Sequence, residues 1–326
     1  MAKTSPQMTR ANPLVYLAPM SGVSDAPFRA AVRAFGVGTL VSEMVASRAM
    51  MESLRDRRKL REVFDCHRPT ILQLAGTDPA LMARAVAIAQ DQGVAAIDLN
   101  FGCPARKVTG RAAGSALMQF PDLCREIFAA VGRAALVPWS VKMRLGWDET
   151  CLNAPDLAAL AQAQGASLLT IHGRTRCQFY KGQADWAAVG QVVARVRLPV
   201  IVNGDIVDGA SAAAALAQSG AAGYMVGRAA IGLPWGLRLI ESARRGTPWA
   251  PTLDVQAAAQ ARLLDDMLRF YGVELGLKAY RKHLSAWVQS LGLPAARRRE
   301  LLTCEQVAGV TGFIDTLAPG PWAAAA

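Results

Sequence analysis

The feature that most constrains this chain is an alternation. Eight short runs rich in β-branched and aliphatic residues recur along it, separated by segments with the period of an amphipathic helix. The runs are Val15–Leu17, Leu40–Ser42, Ile71–Leu74, Ala96–Leu99, Ser140–Met143, Leu168–Ile171, Val200–Val202 and Tyr224–Val226. The helical segments are Ala26–Phe35, Pro79–Gln92, Pro121–Gly132, Pro155–Gln164, Trp186–Val196 and Ala210–Ser219. Asp25, Asp78 and Asp208 stand where an N-cap is needed. Strands that alternate with helices imply crossover connections and a parallel sheet. Eight of them predict an α/β fold, a (β/α)8 TIM barrel. A doubly wound sheet would favour G-x-G-x-x-G after a strand. The one near match, Gly36-Val37-Gly38, has Val41 in the last glycine position and precedes a strand.

After Trp235 the pattern changes. Thr247-Pro248-Trp249-Ala250-Pro251 has the composition of a linker, and no β-rich run follows it. Helical periodicity covers Ala257–Phe270, Leu277–Leu291, Ala295–Leu302 and Glu305–Leu317. The expected division is a barrel domain, 1–246, and a helical domain, 247–326, whose tail Ala323–Ala326 is low in complexity and frayed. At 52% hydrophobic and 19% charged, the chain can bury a large core and is not disordered. Its formal charge of +11 suggests a polyanionic partner, the alternative being a basic protein without one. The six cysteines, Cys66, Cys103, Cys124, Cys151, Cys177 and Cys304, contain no C-x-x-C pair. Zinc is not expected, and reduced thiols in the cytoplasm are. Met1–Asn12 lacks the apolar stretch of a signal peptide, and no run reaches a membrane span.

A barrel places its chemistry at the C-terminal ends of its strands. Those ends carry Ala18-Pro19-Met20, Glu43, Gln73, Asn100 with Cys103, Lys142 with Arg144, His172 with Arg174, Asn203-Gly204-Asp205 and Gly227-Arg228. Lys142 sits in an otherwise apolar strand, facing either the interior or an outer edge. The loops after strands seven and eight suit a phosphate, with glycines that bare the backbone N–H groups and Arg228 to add charge, or they are ordinary turns. Together these groups fit flavin mononucleotide (FMN). Lys142 would face the charge of the reduced ring, and Gln73 and His172 would hydrogen-bond it. A satisfied core histidine remains the other reading of His172.

Two stretches are specific: Ala18-Pro19-Met20-Ser21-Gly22-Val23-Ser24-Asp25-Ala26-Pro27-Phe28-Arg29 and Asp98-Leu99-Asn100-Phe101-Gly102-Cys103-Pro104. With Lys142-Met143-Arg144, Ile171-His172-Gly173-Arg174-Thr175, Asn203-Gly204-Asp205, Gly227-Arg228-Ala229 and Tyr280-Arg281-Lys282-His283, the chain resembles the tRNA-dihydrouridine synthases over essentially its whole length, most closely their bacterial DusB type. The resemblance implies an FMN-bound barrel, a helical RNA-binding domain and NADPH as reductant. It implies FMN contacts from Pro19, Met20, Ser21, Gln73, Lys142, His172, Asn203, Gly204, Asp205, Gly227 and Arg228.

The expected reaction is reduction of the uracil C5=C6 bond of D-loop uridine in tRNA to 5,6-dihydrouridine. Hydride goes to C6, and C5 must then be protonated. A thiol with an ordinary pKa of about 8.5 is protonated at neutral pH, which makes Cys103 the expected general acid. Asn100 is expected to orient the uracil edge. Arg144, Arg174, Arg281, Lys282 and His283 are expected to meet the RNA. Any one of the basic runs at Arg55–Arg61, Arg106-Lys107 with Arg111, Arg176 with Lys181, and Arg297–Arg299 reads first as a solvated face; their joint placement on catalytic-side loops and the helical domain is what suggests backbone grip. The target base must be extruded from its stack, which a single-stranded loop makes easier. The expected protein is a monomer, without metal or membrane contact. An FMN barrel reducing a free pyrimidine-like molecule is the alternative enzyme. A non-catalytic RNA-binding barrel is the alternative of another class.

Overall fold

The computed structural model describes residues 13–53, 71–105, 108 and 113–317. The basic run 55–61 and residues 106, 107 and 111, like Cys66 and both chain ends, lie outside the described residues. Eight parallel strands close into a barrel in sequence order. They are β1 (Leu14–Leu17), β2 (Thr39–Ala46), β3 (Ile71–Ala75), β4 (Ala96–Phe101), β5 (Trp139–Arg144), β6 (Leu168–His172), β7 (Val200–Asn203) and β8 (Gly223–Val226), and β1 pairs with β8 to close it. The outer helices are α1 (Ala26–Arg33), α2 (Ser47–Ser53), α3 (Pro79–Asp91), α4 (Pro121–Ala134), α5 (Ala154–Ala163), α6 (Trp186–Arg195), α7 (Gly209–Ser219) and α8 (Gly236–Arg244). All eight expected strands are present, each within a few residues of its expected ends.

Local chemistry starts several of these helices. Asp25 accepts from the Phe28 amide at 3.0 Å with Pro27 in the first turn. Asp78 caps α3, and Asp208 forms a reciprocal capping box with Ser211. Alternation along each strand separates two environments. Outward residues such as Ile97, Leu99, Val141, Met143, Leu169 and Ile171 join the main core between sheet and helices. Inward ones form a small apolar plug of Tyr16, Ala18, Val41, Ile201 and Met225. On β3 to β6, Ile71 and Leu168 pack against this plug and the inward positions beyond them turn polar: Gln73, Asp98, Asn100, Ser140, Lys142, Thr170 and His172. A sheet with apolar residues outward and polar ones inward makes sense only where helices cover the outside and the inside holds a site.

The C-terminal helices are α9 (Leu253–Tyr271), α10 (Val273–Ser290), α11 (Ala295–Thr303) and α12 (Val307–Leu317). They share a continuous apolar core with the barrel, through Tyr280, Leu284 and Trp287 on α10. The preceding linker is held against the barrel, with Arg238 stacked 4.0 Å over Trp249 and Phe35 6.1 Å from it.

Candidate active site at the barrel mouth

The Cys103 turn is built from β4 and from a short 3-10 helix at Gly114–Gln119. Asn100 Oδ1 accepts from the Cys103 amide at 3.0 Å and from the Gly102 amide at 3.3 Å. Ser115 donates from its amide (3.1 Å) and its hydroxyl (2.8 Å) to the Cys103 carbonyl. Gly114 has φ of 63°, and a Cβ there would lie 2.8 Å from that carbonyl, so glycine lets this close approach exist. Cys103 is half-buried with a free thiol.

Four cations, Lys142, Arg144, Arg174 and Arg228, surround His172 at the mouth. Lys142 lies beside Asn100 in the ladder. Burial, with Arg144 close by, pushes its ammonium pKa down to about 8, against the pull of Asp98 and Cys103. Among the described residues this ammonium makes no hydrogen bond or ion pair. His172 is also desolvated and faces Lys142, Arg144, Arg174 and Arg228, which hold its pKa well below the usual value. Its ring is therefore neutral. An Arg174 N–H faces Nε2 at 3.4 Å, making that nitrogen the acceptor.

Arg144 and Arg174 depart from the expected contact with RNA. Arg144 is 1% exposed, and its guanidinium donates to the carbonyls of Gly102 (2.9 Å), Thr175 (2.7 Å) and Phe179 (2.9 Å). It ties the Cys103 turn to the loop after β6. Arg174, 2% exposed, grips the Asp205 carboxylate through both terminal nitrogens and donates to the carbonyls of Lys181 and Gly182. His283 is the clearest correction. It is fully buried, stacks 4.5 Å from Phe28 and accepts from the Gly232 amide at 3.2 Å, so it joins the helical domain to the barrel and cannot touch a substrate. Arg281 donates to the Cys304 carbonyl at 3.0 Å. Lys282 does reach the mouth, where its ammonium donates to the Gly22 carbonyl.

The loops after β7 and β8 form a cradle. Gly204 has φ of 112°, and a Cβ there would come within 2.8 Å of both His172 and Ala184. Asp205, also at positive φ (54°), accepts from Arg174, Arg228 and the Ala184 amide, and these bonds, opposing the effect of its burial, hold its carboxyl below the usual range. Among the described residues the amides of Gly204, Asp205, Arg228 and Ala229 donate to no carbonyl. Arg228 is exposed at the rim, 4.9 Å over the Tyr180 ring. Asn203 donates to the Met225 carbonyl. Pro19, Met20 and Ser21 lie beside this cradle on the loop after β1, the strand that pairs with β8, where the Met20 amide donates to Ser24 and the Gly22 amide to Glu43.

A family model described as dihydrouridine synthase matches residues 16–317. The chain belongs to the dihydrouridine synthase family. It is 46% identical over 308 residues to a probable tRNA-dihydrouridine synthase of Rhodobacter capsulatus, covering 94% of each chain. It is 45% identical over 283 residues to one of Rickettsia conorii, covering 86% of this chain and 85% of that one. With tRNA-dihydrouridine synthase B of Pseudomonas aeruginosa it shares 41% over 285 residues, again 86% and 85%. It is an enzyme of that family, an oxidoreductase.

In this family member, some of what shapes the mouth was not singled out from sequence. Tyr180, 54% exposed, stands between Arg228 and Arg144, and Trp147 (4.6 Å) and Phe179 (4.8 Å) flank Arg176, which the sequence offered only as part of a basic run. Only the aromatic residues interleaved with arginine over 174–180 hinted at this. Among the described residues no group of side chains suits a metal, and no helix is long and apolar enough to cross a membrane.

Proposed function

We propose that this chain is a flavin-dependent tRNA-dihydrouridine synthase. It would reduce D-loop uridine with NADPH as the electron source, working as a cytoplasmic monomer with the barrel 1–246 as catalytic domain and 247–326 as the tRNA-binding domain. The observation that carries this reading is the convergence of Cys103, Lys142 and His172, on one end of one barrel, with a cradle of amides that donate to no carbonyl among the described residues.

The residues present fit FMN. A half-buried ammonium with no bonded partner among the described residues is costly and calls for an anionic or polar group beside it. Gly204, Asp205, Gly227 and Ala229 would offer backbone to the phosphate and Arg228 a mobile charge. Pro19, Met20, Ser21, Gln73, His172 and Asn203 would line the ring and ribityl chain. Bound there, a flavin would supply the hydride that the C5=C6 bond needs.

The protein must then protonate C5. His172 is kept neutral by burial and by four cations, so it is a poor proton donor. Cys103 remains, on a turn pinned by Asn100 and Ser115. Lys142 and Arg144 both lie within electrostatic reach of Cys103. Asn100, with its oxygen committed to the turn and one N–H to Gln73, would exchange its weak 3.7 Å N–H contact with the Met44 sulfur for the uracil edge. Lys282 at Gly22 and the exposed Arg297 and Arg299 support RNA contact from the helical domain. Cys103→Ala should leave flavin bound while lowering tRNA reduction by about 10²–10⁴-fold, measured as dihydrouridine formed per flavin. Wild-type turnover in that variant would remove the acid role, and efficient reduction of free uridine would favour a small-molecule enzyme.

A further inference from the structure

Asp98 lies inside the barrel, one layer below Asn100, and has no part in the chemistry above. It is 3% exposed and sits between Gln73 on β3 and Ser140 on β5 in the ladder. Its Oδ1 accepts from the Ser140 hydroxyl at 2.6 Å and its Oδ2 from Gln73 Nε2 at 2.7 Å. Gln73 Oε1 in turn accepts from Asn100 Nδ2 at 2.7 Å. Asn100 Oδ1 then accepts from the Cys103 and Gly102 amides. Every bond in this chain points toward Asp98.

That common direction has a cause. An ionised carboxylate can only accept, and a backbone N–H can only donate. Burial pushes the Asp98 pKa up while Gln73, Ser140 and Lys142 oppose it; with both of its oxygens accepting, the chain has an acceptor at its base and pure donors at its top. Each primary amide between them has one orientation that satisfies both ends. Turning either one over sets donor against donor or acceptor against acceptor, which is costly in a buried site. We infer that Asp98 is a positioning residue whose carboxylate sets the hydrogen-bond polarity of the Gln73–Asn100 pair and so holds the Cys103 turn. Its consequence for turnover rests on the role proposed above for Cys103, whereas the turn geometry does not.

Asp98→Asn keeps the shape and removes the pure acceptor, so the chain can run either way. In flavin-loaded protein, kcat for tRNA reduction should fall at least tenfold with KM for tRNA within twofold. Without substrate, iodoacetamide labelling of Cys103, resolved by peptide mass spectrometry, should quicken at least threefold while labelling of exposed Cys177 is unchanged. Ser140→Ala removes one donor but keeps the carboxylate and its bond to Gln73, so Cys103 labelling should stay within twofold of wild type. Gln73→Met cuts Asp98 off from the turn and should quicken Cys103 labelling as Asp98→Asn does, which decides the matter if Asp98→Asn does not fold. Cys103 labelling within twofold of wild type in whichever of the two folds would overturn the inference, as would equal effects of Ser140→Ala and Asp98→Asn. Faster labelling in a protein whose wild type makes no dihydrouridine would support the inference and contradict the proposed reaction.

Discussion

Lys142 shows how one residue serves function against stability. Its ammonium is held on an inward strand position, its pKa is lowered to about 8, and among the described residues it has no bonded partner. Lys142→Met removes that burden. The variant, free of cofactor, should gain about 1 kcal/mol of stability in urea titration, while its flavin affinity falls at least tenfold in fluorescence titration. A destabilised variant with unchanged flavin affinity would contradict this. The residue type was legible in sequence because a lysine within Trp139–Met143 is anomalous on a covered sheet. The commitments of Arg144, Arg174 and His283 were not, because a motif shows which residue is present and not which carbonyl it faces. Arginine serves a phosphate and a set of buried carbonyls equally well. Only the packed structure shows that Arg144 joins two loops of the mouth.

At the scale of elements, the strand order could be read because the outward positions of the strands are mostly apolar and several helices open on a capping aspartate, as at Asp25, Asp78 and Asp208. What was missed is short or irregular. The helix Ser47–Ser53, the 3-10 helix Gly114–Gln119 and the helix Gly236–Arg244 have too few turns to show periodicity or sit within a loop. Gly204, in the loop between β7 and α7, is constrained twice, by its φ of 112° and by His172 and Ala184 within 2.8 Å of any Cβ. Gly204→Ala should cost about 1–2 kcal/mol in folding stability and displace the His172 ring. The expected readout is a flavin dissociation constant raised at least tenfold. Unchanged affinity would show that this loop does not meet the cofactor.

For the whole molecule, the joint between barrel and helical domain predicts an acid response. His283 is fully buried there, and burial together with Lys282 pushes its pKa down from 6.5 to about 3. The unfolded chain takes up this proton near pH 6.5 and the folded chain does not. Stability from this group is therefore present above pH 6.5 and is lost progressively as pH falls toward 3. His172 acts in the same direction, whereas Asp25 and Glu43, raised by burial, act in the opposite one. His283→Gln keeps an acceptor for Gly232 and cannot titrate. Between pH 6.5 and 5 it should lose about 2 kcal/mol less than wild type in parallel urea titrations, and equal losses would contradict the assignment. The shared core also means that cutting the chain before α9 would bare the face of α1 that carries Phe28, so point variants test the tail better than deletion. The net charge of +11 predicts tRNA binding that weakens steeply with salt, about 10³-fold between 50 and 200 mM if six or more phosphates are neutralised. The central claim concerns the reaction itself. Purified protein, loaded with flavin and given NADPH without oxygen, should form dihydrouridine in an unmodified tRNA transcript, with the product confined to the D-loop by mass spectrometry of its fragments. No dihydrouridine from flavin-loaded protein, or reduction of free uridine as fast as tRNA, would contradict it.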